Sequence, residues 1–68
     1  MQMISVSSSA IAKVGYDPGS QRMCIRFTGS GLTYDFCGVP EAVYQGLMAA
    51  DSKGDYYNRY IRDRFQCR

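Results

Sequence analysis

The stretch from Met23 to Phe36 constrains this chain more tightly than any other. Met23, Ile25 and Phe27 alternate with Cys24, Arg26 and Thr28; after Gly29-Ser30-Gly31 the alternation resumes as Leu32, Tyr34 and Phe36 against Thr33 and Asp35. Period-two patterning is the mark of a half-buried strand, and a Gly-Ser pair between two such runs marks a hairpin. A two-residue loop at Gly29-Ser30 pairs Phe27 with Leu32, Ile25 with Tyr34 and Met23 with Phe36 on one apolar face. Arg26 then faces Thr33, and Cys24 faces Asp35, on the other. A slip of one residue would turn every apolar side chain to the wrong face, so the register is well specified.

The flanking segments extend this hairpin. Ala10, Ala12, Val14 and Tyr16 predict one face of a preceding strand with Lys13 opposite, and Asp17-Pro18-Gly19-Ser20 is a turn in which proline presets φ. A short additional strand is expected around Ile4–Val6. Gly38 breaks the last strand and Val39-Pro40 opens a helix, with Pro40 in the first turn and Glu41 at the positive end of the helix dipole. Val43, Leu47 and Ala50 form its apolar stripe, flanked by Tyr44 and Met48, and Gly46 is expected to let the helix lie close to the sheet. Ser52-Lys53-Gly54-Asp55 fits a capping box for a second helix. Tyr57, Ile61 and Phe65 define its buried stripe, Tyr56 and Tyr60 a neighbouring row, and Arg59, Arg62 and Arg64 point away. The expected class is α+β: a three-stranded antiparallel meander, with a short fourth N-terminal strand, packed against two C-terminal α-helices.

At 68 residues the chain makes one domain, 1–68, and a domain of this size buries only about 60% of the surface its unfolded chain exposes. Cys24, Cys37 and Cys67 are odd in number and form no C-x-x-C pair, and histidine is absent. Neither a disulfide framework nor a metal site is therefore expected, and the prediction is three reduced thiols, with Cys67 in a loose tail. Six tyrosines and three phenylalanines exceed what one small core covers, so a homo-oligomer is expected. No apolar run reaches the ~18 residues of a membrane span, and the N-terminus lacks the pattern of a signal peptide, so no membrane partner and a cytoplasmic location are expected.

Function is harder to read. Without histidine, a Ser-His or Cys-His pair or a phosphate loop, an enzyme is not expected, and no cofactor is called for. The net charge of +2 lies entirely in residues 51–68, where Lys53, Arg59, Arg62, Arg64 and Arg68 outnumber Asp51, Asp55 and Asp63. Lys53, Tyr56, Arg59, Tyr60, Arg62 and Arg64, with Arg26 from the other sheet face, are the candidate residues for binding phosphate and stacking on a base. Tyr34 and Phe36 read as core under the helices; a stacking platform would need them exposed.

The ordered set Val6-Ser7-Ser8-Ser9, Val14-Gly15-Tyr16-Asp17, Tyr34-Asp35-Phe36, Gly38-Val39-Pro40, Val43-Tyr44, Ala50-Asp51-Ser52-Lys53-Gly54, Tyr57-Asn58 and Ile61 resembles the KTSC domain. That family is named for a C-terminal segment of some lysyl-tRNA synthetases and also occurs as small bacterial and phage proteins. The family's function is not established, and the fusion to a tRNA synthetase makes RNA binding what the resemblance implies; nucleotide binding is the parallel expectation from the basic and aromatic residues. The family's Tyr-x-Tyr stands here as Tyr34-Asp35-Phe36, which suggests packing at position 36. The alternative is a homo-oligomeric protein-interaction module, such as a phage accessory or counter-defence factor that binds a host protein or sequesters a nucleotide. Salt dependence separates the two, because phosphate binding weakens as salt rises and an apolar interface hardly responds.

Overall fold

The computed structural model describes residues 1–67; Arg68, counted in the basic excess, lies outside the described residues. Four strands, β1 (Met3–Ser5), β2 (Ile11–Asp17), β3 (Arg22–Phe27) and β4 (Thr33–Phe36), form an antiparallel sheet in the order β1-β2-β3-β4. The N-terminal segment is thus a full member of the sheet, one residue earlier than expected. Helix α1 (Glu41–Ala49), helix α2 (Lys53–Tyr56) and a π turn (Tyr57–Ile61) follow. Ile11, Val14, Met23, Ile25 and Phe36 from the sheet meet Val39, Leu47 and Ile61 in one core.

The β3–β4 register is the one the alternation dictates: Met23 opposite Phe36, Cys24 opposite Asp35, Ile25 opposite Tyr34 and Arg26 opposite Thr33. The connection is wider than a two-residue loop. Phe27 N–H bonds to the Leu32 carbonyl, and Gly31 N–H, at φ +70, bonds back to the Phe27 carbonyl, so Thr28–Gly31 form the loop. The register survives because widening the loop removes a whole pair of residues and so preserves which way the others face.

In β2 the simple alternation fails. Ile11 lies opposite Phe27 and Lys13 opposite Arg26, which leaves Ala12 as an extra, bulged residue. The bulge turns Ile11 inward together with Val14, and both are fully buried, in place of the expected row Ala10, Ala12, Val14. Leu32 and Tyr34, expected in the core, are 56% and 48% exposed, and only Phe36 of that row is covered.

Tyr16 fastens α1 to the sheet. Its hydroxyl donates to the Val39 carbonyl at 2.6 Å and its ring stacks on Tyr44 at a centroid distance of 4.6 Å. Pro40 is the N-cap of α1, just outside the helix proper. Gly46 does not face the sheet: a Cβ there would run into the Tyr56 ring, so its bareness seats α2 against α1.

The capping prediction holds, with Ser52 Oγ accepting the Asp55 N–H at 3.3 Å. Ser52→Ala should cost about 1 kcal/mol, measurable as a lower urea midpoint with an unchanged slope. The second helix, however, stops at Ile61. Arg62 N–H reaches the Tyr57 carbonyl in a π-type bond, and Asp63 then adopts φ 61, which reverses the chain. Phe65 is therefore not on a helix. The reversed tail runs back along β4, where Gln66 bridges Phe36 and Cys37 N–H bonds to the Phe65 carbonyl at 2.9 Å.

This return corrects the cysteine reading. Cys37 and Cys67 form a disulfide across a sequence separation of 30, with Cα atoms 4.9 Å apart, so the tail is tied to the sheet and only Cys24 is a free thiol. The bond fixes the returning tail beside the end of β4, a local tie that three reduced thiols would lack.

Candidate functional site

The structure disperses the residues chosen from sequence. Arg26 projects from the sheet face opposite the helices, level with Thr33. Lys53 is tethered through Nζ to the Ala50 carbonyl at 3.1 Å. Arg59 pairs with Asp55 at 3.0 Å, one turn apart and well exposed, a contact of little energetic weight. Tyr56 lies over Gly46, with Tyr60 beside it at a centroid distance of 4.7 Å. Arg62 leaves the helix at its C-terminal end and sits 3.9 Å from Asp63. Arg64 lies on the reversed tail and lines a cleft together with Tyr34 and Phe36 of β4. The seven do not form one basic helix face.

Arg64 instead joins aromatics that the sequence reading gave to the core. The returning tail and β4 enclose an open cleft of about 470 Å³, lined among others by Tyr34, Phe36, Tyr57, Asp63, Arg64 and Phe65. Three of the lining rings, Tyr34, Tyr57 and Phe36, belong to an edge-to-face chain that Phe27, outside the lining, completes. Tyr34 meets Phe27 at 5.6 Å, Phe27 meets Tyr57 at 5.0 Å, and Tyr57 meets Phe36 at 6.0 Å. Such contacts hold rings in defined orientations. Phe36 is buried beneath Tyr57, whereas Tyr34 stands at the mouth with about half its surface in solvent.

Electrostatics in the cleft are mixed. Arg64 brings a guanidinium and Asp63 a carboxylate, whereas Asp35, though its residue lines the cleft, turns its carboxylate to the opposite sheet face. Burial raises the Tyr57 hydroxyl above its ordinary pKa of 10.0, an effect opposed by Arg62 and reinforced by Asp63 and Tyr34, so the phenol stays neutral and can donate a hydrogen bond. On the opposite sheet face Cys24 donates to Asp35 at 2.8 Å. Burial first, then that bond and the Asp35 charge, push its thiol up to about 11, which keeps it protonated at neutral pH. Among the described residues no cluster of three or more Cys, Asp or Glu side chains is placed to hold a metal, and no helix is long and apolar enough to cross a membrane.

The cleft was not visible in the sequence. Period two assigns Tyr34 and Phe36 to the same face, and nothing in it says that the covering helix stops short of Tyr34. The signal that was present is the exchange of Tyr for Phe at position 36, which marks the buried member of the pair.

Comparison with known proteins places this architecture. A KTSC domain protein from Yersinia pestis has a crystal structure that matches with a TM-score of 0.91 and 43% identity, over 98% of this chain and 93% of that one. A protein from Tsukamurella paurometabola is 45% identical over 64 residues, 94% of either chain. A lysine–tRNA ligase from Nostoc punctiforme is 31% identical over 64 residues, which span 94% of this chain but 11% of the ligase. The KTSC domain model itself matches residues 7–65, from the serines before β2 through both helical segments to the tail that walls the cleft. The chain belongs to the KTSC domain family.

Proposed function

We propose that this protein is a non-catalytic module that binds a nucleotide or a short single-stranded stretch of RNA, with a base against Tyr34 and a phosphate on Arg64. The observation that carries this reading is that a half-exposed Tyr34 and Arg64 line the same open cleft. A ring for the base and a planar, always-charged fork for the phosphate are the pair of groups such ligands need. The volume falls in the range of small-ligand sites, about 300–1,000 Å³. Asp63 in the lining suits a single nucleotide or an unstacked loop better than a continuous phosphate track. Similarity to a segment of ligases named for tRNA supports the same ligand class.

The test is fluorescence anisotropy with a labelled single-stranded RNA, competed with free nucleotide. Tyr34→Ala should weaken binding by about 5- to 150-fold, the range for loss of one base stack. Raising salt from about 50 to about 200 mM should weaken it about three- to sevenfold, as for one or two phosphate contacts. Undiminished binding by both Tyr34→Ala and Arg64→Glu would remove this site.

A second reading rests on Leu32 beside Tyr34. With both largely in solvent at the end of an edge strand, they form an apolar strip suited to a second protein chain. That reading requires a salt-insensitive complex and an oligomeric mass in solution that Leu32→Glu abolishes.

A further inference from the structure

One wall of the cleft is held by very little besides a covalent bond. The tail from Arg62 to Cys67 contributes Asp63, Arg64 and Phe65 to the lining. Its backbone is joined to the sheet at a single bridge, Phe36 to Gln66, to which the Cys37 N–H to Phe65 carbonyl bond belongs. Its entry is a left-handed Asp63 backbone, a conformation that L-residues adopt at a cost. Of its side chains, only Phe65 packs against the core, and partly. Segments with so few buried contacts open at little cost unless tied down. The tie is the Cys37–Cys67 disulfide, and Cys67 is exposed, so a thiolate in solution can reach it.

We propose that the Cys37–Cys67 disulfide is a redox latch on the cleft: oxidised, it fixes the Arg64 wall against β4, and reduced, it lets the tail swing away and dismantles the site. As a statement about ligand control this rests on the binding function proposed above; as a statement about the tail it does not. The reductant is a dithiol. One of its thiolates attacks Cys67 Sγ, the bond to Cys37 breaks, and Cys37 leaves as a thiolate that takes up a proton. The second thiolate of the reductant then attacks the mixed disulfide, releasing Cys67 and closing the reductant into its own disulfide. Two electrons pass from the dithiol to the protein. Cys24 takes no part, since it lies on the opposite sheet face with its Sγ committed to Asp35.

Amide hydrogen exchange followed by NMR on the oxidised and dithiothreitol-reduced protein tests this. The Cys37 amide should exchange at least about tenfold faster after reduction while amides of β3 keep their protection, the pattern of local opening. Cys67→Ser without reductant should reproduce it. A Cys37 amide that stays protected in both the reduced protein and Cys67→Ser would overturn the latch. So would parallel loss of protection in β3, which would make the bond a staple of the whole fold. In the RNA titration, oxidised protein should bind at least about tenfold more tightly than reduced, because the Arg64 contact and one wall of the stack are lost together. Equal binding in both states would overturn control of the site. Absence of binding in both would overturn the function proposed above and leave the latch to be decided by the amides alone.

Discussion

Ile61→Ala is expected to lower the melting temperature by roughly 10–20 °C, the largest effect of any single side-chain truncation in the second helical segment. Ile61 is fully buried, and neither α2 nor the rest of the π turn buries another residue fully, so this side chain fastens the whole of Lys53–Ile61 to the sheet. Truncating a buried isoleucine to alanine costs about 2–5 kcal/mol. A core of this size supplies only about 3–5 kcal/mol of net stability, so most of the margin is removed. At about 4–8 °C per kcal/mol for a domain of this length, a circular-dichroism melt resolves the change easily. A fall of less than about 5 °C would mean that the Tyr56 and Tyr57 rings hold the segment by themselves.

Gly46→Ala sets two effects of opposite sign against each other. Alanine is about 1 kcal/mol better than glycine in a helix interior, so propensity alone forecasts a stabilised protein. Space forecasts the reverse, because the added Cβ would overlap the Tyr56 hydroxyl and lie 2.7 Å from Cζ and 3.0 Å from Cε2 of a stiff ring. Overpacking of this kind costs about 1–3 kcal/mol, so against the propensity gain the net should be a loss of up to about 2 kcal/mol by urea unfolding. The sign should flip in a Tyr56→Ala background, where the obstruction is gone and Gly46→Ala should stabilise by about 1 kcal/mol. A stabilising Gly46→Ala in the intact protein would show that Tyr56 rotates aside freely and that glycine is not what seats α2.

The part of the fold that could be read from sequence is the part decided by neighbours along the chain. The Met23–Phe36 hairpin was legible because alternation and a Gly-rich loop act together, and the error in loop width did no harm because it kept the parity. The Ser52 cap was legible because it is a contact between residues three apart. The Ala12 bulge was not, since alanine there fits either face equally well. Nor was the end of the second helix: Tyr57, Ile61 and Phe65 have ideal spacing for an α-helix, and nothing in that spacing announces a π turn or a left-handed Asp63. Every misplaced site residue beyond Ile61 follows from this one miss. Arg62 and Arg64 were read as helical, and Cys67 as loose, whereas the reversal delivers Arg64 to the cleft and Cys67 to Cys37. Tyr34 reads as core for a different reason: it shares the period-two face of Leu32 and Phe36, and alternation carries no information on how far the helices extend over that face.

The meander order also bears on how the chain acquires its structure. Each strand pairs with the one made just before it, so almost every sheet contact is local in sequence, the condition for rapid folding. During synthesis, at about 5–20 residues per second, the sheet can therefore assemble while the helices are still being made. Its apolar face then waits for Leu47 and Ile61, and the thiol of Cys37 waits longer still for Cys67, which emerges after every strand and helix. Oxidation thus comes at the end and seals a topology already chosen, so the bond governs how long the finished arrangement lasts and has no part in selecting it.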